Sequence, residues 1–160
     1  MKREILFRGK SIEPSTDGEW VIGSLVVHGN CSYILPEIPF TPFGIVKYIV
    51  DPETVGEFTG LKSKKKKINL SENIFEGDMF RGLNDNDIEV YYVVMWIEQH
   101  AAFYMIPADH YCVIRDNNLS NDKDFNWLFD DAMLYDFSSD CGLTKVGNIY
   151  DNKELLKWEY

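Results

Sequence analysis

Short runs of β-branched and aromatic residues recur along this chain, and each is cut by a turn signal. Glu19 to His28 carries Trp20, Val21, Ile22, Leu25, Val26 and Val27, then stops at Gly29-Asn30. Runs of this kind bounded by Gly, Pro, Asn and Asp read as strands, and at spacings of roughly 8–12 residues they make sheets or barrels. Strands are predicted over 3–8, 19–28, 32–35, 45–50, 74–80, 88–97, 102–106 and 111–115, with a further stretch over 55–61 broken by Gly56 and Gly60. The run at 88–97 is the longest and most apolar. Pro36, Pro39, Pro42 and Gly44 exclude a central strand or a helix from 36–44, which reads as an extended loop. Asp51-Pro52 and Gly77-Asp78 have turn chemistry. Only two stretches read as helix. Phe125, Leu128, Phe129, Ala132 and Met133 recur with helical period in 121–137, and Asn152 stands as an N-cap before Glu154, Leu155 and Leu156 in 152–158.

A chain of 160 residues, 45% apolar and 26% charged, suits one globular domain and excludes a disordered or fibrous chain. No apolar run approaches the ~20 residues of a membrane helix. Met1-Lys2-Arg3-Glu4 does not open a signal peptide, so a cytoplasmic location and no membrane partner are expected. The net charge is −10, unevenly spread. Residues 1–70 hold 10 basic and 8 acidic side chains, and residues 71–160 hold 6 and 18. That second part opposes nucleic-acid binding, which draws on Lys and Arg. Cys31, Cys112 and Cys141 form no CxxC pair, and His28, His100 and His110 form no HxxxH pattern, so neither a metal centre nor a cofactor is expected. His110 and Cys112 would share a face of a strand at 111–115 without marking a nucleophilic site.

Three stretches together resemble the YopX family of phage and prophage proteins. They are Arg3 to Lys10 with Gly18-Glu19-Trp20-Val21-Ile22-Gly23; Val50 to Leu61 with Ile74-Phe75-Glu76-Gly77-Asp78; and Gly147 to Asn152 with Glu154-Leu155-Leu156. Lys62 to Asn73 departs from the family, which joins these blocks by a short glycine-containing hairpin, and Lys153 stands where the family tends to have Pro. The resemblance implies a mainly β fold of twisted antiparallel sheets with an SH3-like barrel element. It implies a single domain with an N-terminal β part at 1–61 and a barrel-like part at 74–160. It implies a bacterial host and brings no established activity.

The residues with chemical capacity read first as structure. Asp51, Glu53, Glu76 and Asp78 are turn residues that a divalent-metal hydrolase could also use. Lys64, Lys65, Lys66 and Lys67 form a charged loop that could contact phosphate, but no aromatics interleave with them. Asp122, Asp124 and Asn126 open like a calcium loop, yet Trp127 and Met133 occupy the positions that need Gly and Glu. No Walker, dinucleotide, hydrolase or kinase motif occurs. The remaining expectation is a non-enzymatic binding or assembly module, with a host or phage protein or a second copy as partner. Ile38, Phe40 and Phe43 in the proline-rich loop either tuck onto the chain's own core or form an interface with another chain, and the interface is the expectation. The three lie within 38–50, a stretch with no acid, beside sheet edges expected to be open.

Overall fold

The computed structural model describes residues 4–65, 70–83, 86–117 and 142–156. It is 55% strand and 15% helical, with antiparallel sheets. None of these sheets closes into a barrel among the described residues. Nor is any helix there long and apolar enough to cross a membrane. The chain divides into two compact units, Met1–Gly60 and Leu61–Tyr160.

In the first unit, β1 (Phe7–Lys10), β2 (Trp20–His28) and β3 (Cys31–Leu35) form a meander, and β2 turns into β3 through Gly29-Asn30. The first strand lies later than predicted. Its backbone register is set by β2, where Phe7 faces Gly23 and Lys10 faces Trp20. Gly23 allows the close approach of the end of β3, because a Cβ there would collide with the Leu35 carbonyl oxygen. After β3 the chain makes an excursion over 36–47 that holds a two-residue-strand hairpin, β4 (Phe40–Thr41) and β5 (Gly44–Ile45). It returns as β6 (Tyr48–Val50), which pairs with β3 through Ser32–Val50, Tyr33–Ile49 and Ile34–Tyr48. The single strand predicted over 45–50 is thus divided, with Ile45 in the hairpin and Tyr48–Val50 in the sheet.

The open edges expected beside the proline-rich loop are filled. β3 has β2 on one side and β6 on the other. The far edge of β6 meets the residues after β1: Ser11 bridges Val50, Ile12 N–H donates to the Ile49 carbonyl at 3.0 Å, and Asp51 N–H donates to the Lys10 carbonyl at 2.9 Å. Backbone groups that would otherwise invite another chain are satisfied within the unit. Ile34, Val50 and Phe58 are buried. β7 (Gly56–Lys65) begins here, beside β1, and ends in the second unit.

The second unit contains β8 (Leu70–Phe75), β9 (Asp78–Leu83), β10 (Glu89–Ile97), β11 (Ala102–Pro107) and β12 (Thr144–Asn148). Four of them form a sheet in the order β11-β10-β9-β12. Both faces of this sheet are covered, which is why the 88–97 run shows little alternation. One layer gathers Met79, Val93, Ile97, Ile106, Tyr111 and Ile114, and the other gathers Ile74, Phe80, Val94, Phe103 and Met105.

The strand predicted over 111–115 is instead part of a helix, α1 (Ala108–Asn117). Tyr111, Val113 and Ile114 favour strands in isolation, but Ala108, Tyr111 and Ile114 recur every three residues and all reach the same core layer. Packing decides against local propensity. In a helix His110 and Cys112 no longer share a face. His110 lies 3.1 Å from Asp109, and Cys112 Sγ donates to the Leu156 carbonyl. Of the predicted helices, 121–137 lies outside the described residues, with Cys141, Trp127 and Trp158. At 152–158 the described part is a single 3-10 turn, Lys153–Leu156. There Asn152 holds the N-cap position, its carbonyl accepting from Leu155 N–H at 3.0 Å, while its carboxamide oxygen accepts from Asn148 N–H.

Candidate interaction surface and the placement of the predicted site residues

The excursion at 36–47 follows from its residues. Pro39 and Pro42 lack a donor and hold their backbones extended or in turns. Pro42 and Phe43 form the two-residue loop between Thr41 and Gly44. The Thr41 hydroxyl donates to the Gly44 carbonyl at 3.1 Å and accepts from Phe43 N–H at 3.3 Å, fixing the tip. Val46 N–H returns to the Pro39 carbonyl. This tongue carries four large apolar side chains in solvent. Phe43 is 99% exposed, Ile38 79%, Phe40 73% and Ile45 61%. The three residues expected at an interface are thus all exposed, and Ile45 joins them. Lys47, the one charge in 38–50, stands 4.5 Å over the Tyr33 ring.

The carboxylates are arranged differently. Asp51 Oδ1 accepts from Glu53 N–H at 3.0 Å, opening the 3-10 turn Pro52–Thr54. Thr54 is buried, and its hydroxyl donates to the Asp51 carbonyl and accepts from Lys10 N–H. The Glu53 side chain is exposed. In the second unit, Glu76 Oε1 accepts from Trp96 N–H at 3.3 Å. Asp78 is fully buried and accepts both Phe75 N–H and the Lys145 ammonium at 2.8 Å. Lys145 also reaches the Asn73 carbonyl and lies 3.6 Å from Glu72. Between Glu76 and Asp78, Gly77 adopts φ +79°. Its N–H donates to the Val94 carbonyl, and its own carbonyl accepts from Ile149 N–H. These contacts are turn and core chemistry. Among the described residues, no three His, Cys, Asp or Glu side chains stand close enough together to hold a metal ion.

Lys64 and Lys65 end β7, and Lys66 and Lys67 lie outside the described residues. Two structural features escape sequence reasoning. One is Lys145, a lone lysine in a polar strand that neutralises Asp78. The other is the Arg8 guanidinium, buried 4.7 Å above the Trp20 ring. The ending at 147–152 is a knot of hydrogen bonds: the Asn148 carboxamide oxygen accepts from Tyr150 and Asp151 N–H, and its NH₂ donates to Asp151.

Comparison with protein-family models returns no match, and comparison with curated proteins returns none.

Proposed function

We propose that this chain is a non-enzymatic, β-rich binding or assembly module whose contact surface is the 36–47 tongue. One observation carries the reading: four large apolar side chains project into solvent from an acid-free stretch of a protein with net charge −10. Contiguous exposed apolar groups of this kind are a feature of protein–protein contacts. The absence of acid from 38–50 suits two copies of a strongly acidic chain, which otherwise repel. The resemblance to YopX proteins supports a phage or prophage setting, a bacterial cytoplasm and a host or phage protein as a further partner. The SH3-like element belongs to the same reading, and the antiparallel pairing of β9 with β10 and of β10 with β11 supports it. The acidic balance of 71–160 weighs against nucleic acid as the partner.

Light scattering across the micromolar range tests the reading. The wild type is expected above monomer mass, and Phe40→Ser combined with Phe43→Ser is expected at monomer mass with unchanged circular dichroism. A monomeric wild type overturns the assembly reading. Loss of folding in the double variant would return the two rings to the protomer's own core.

A further inference from the structure

We infer that the assembly is a two-fold dimer in which the tongues of two copies face each other with the Phe43 tips at the axis. This rests on the assembly reading and adds its partner, stoichiometry and contact.

The exposed area fits such a pair. With roughly 200 Å² on each large apolar side chain, the exposures of Ile38, Phe40, Phe43 and Ile45 give on the order of 600 Å² per tongue. Complete coverage of both tongues would bury on the order of 1,200 Å², which reaches the lower bound for a specific, stable interface. Charge selects the same occupant. Residues 38–46 carry no charge between the exposed Glu37 and Lys47, so a basic partner finds one carboxylate and an acidic partner one cation, Lys47, already placed over Tyr33. A second tongue offers the same neutral apolar surface, and a two-fold contact is self-complementary by construction.

Backbone chemistry decides how the tongues meet. Pro39 and Pro42 flank β4 and remove donors from its edge, which disfavours strand addition. Contact therefore runs through side chains. The Thr41 hydrogen bonds hold the tip in shape before association, so less conformational freedom is lost on binding. Phe43 is the most exposed of the four side chains, which is why the inferred dimer seats it at the axis.

Sedimentation velocity on Phe43→Lys, Phe43→Glu and their equimolar mixture tests this. Phe43 makes no packing contact to lose at 99% exposure, so both variants fold, which circular dichroism checks. Each variant alone is expected to sediment as a monomer, because like charges meet at the axis. The mixture is expected to sediment as a dimer that dissociates at high salt. If the wild type assembles but the mixture stays monomeric, or if either variant alone remains dimeric, the tip-to-tip contact is wrong and the assembly reading stands. If the wild type is a monomer, both are overturned.

Discussion

The Glu76–Asp78 turn and the 36–47 tongue both interrupt the strand pattern of the sequence, and the structure uses them in opposite ways. In the turn, a carboxylate that could do chemistry is fully buried and bound to a lysine and a backbone N–H. In the tongue, side chains that belong in a core are left in solvent. The groups with chemical capacity hold the fold, and the groups with packing capacity are offered outward. The proposed binding reading rests on this distribution.

Removing the buried partner separates the two regions most sharply. Asp78→Ala leaves the Lys145 ammonium with the more distant Glu72 carboxylate and the Asn73 carbonyl, and removes the Asp78 acceptor from Phe75 N–H. Breaking such a pair costs roughly 3 kcal/mol or more, read as a lowered urea midpoint. Asp78→Leu with Lys145→Met is expected to recover much of the loss, since no uncompensated charge remains buried.

The second expectation concerns alkaline pH. Burial pushes the Tyr111 phenol up to about 12, with the Tyr150 phenol adding to the rise. The folded value lies above the unfolded one, so the neutral form favours the folded state. Stability from this group is complete below about pH 10 and is lost as pH rises towards 12. Phenolate absorbance during titration should show a late-ionising component, and Tyr111→Phe should reduce it and flatten the alkaline loss of stability.

Gly77→Ala comes next. A φ of +79° strains any other residue, and the new Cβ would lie 3.3 Å from the Ile149 side chain. A loss of about 1 kcal/mol is expected in urea unfolding. An unchanged midpoint would mean that the turn relaxes without cost. The smallest effect is expected from metal. Adding Mg²⁺, Mn²⁺ or Ca²⁺ should leave the melting temperature where it is, because a native-state site would raise it by mass action. A rise abolished by Asp51→Asn or Asp78→Asn would transfer the function to the carboxylates.

Much of the sheet was legible because strand length and turn chemistry are local. Gly29-Asn30 and Asp51-Pro52 act where they stand, and β2, β3 and β10 lie close to their predicted ranges. The helix α1 was hidden because Tyr111, Val113 and Ile114 carry a strand preference that only the core layer overrides. The β3–β6 pairing was hidden for a different reason. The prolines between the strands announce a break, and only the fold shows that the chain resumes pairing across it. For the site, the apolar content of 38–45 was visible, but its exposure was not, since a proline-rich loop can equally lie against its own core. Lys145 left no signal, because a charge pair across two strands has no sequence period.

The division between a structural turn and an outward-facing tongue is tested most directly by urea unfolding of three proteins at one dilute concentration. The account predicts that Phe40→Ser with Phe43→Ser keeps the midpoint of the wild type to within about 0.5 kcal/mol, as surface substitutions do, while Asp78→Ala loses several times that. A tongue variant that loses as much as Asp78→Ala would contradict it.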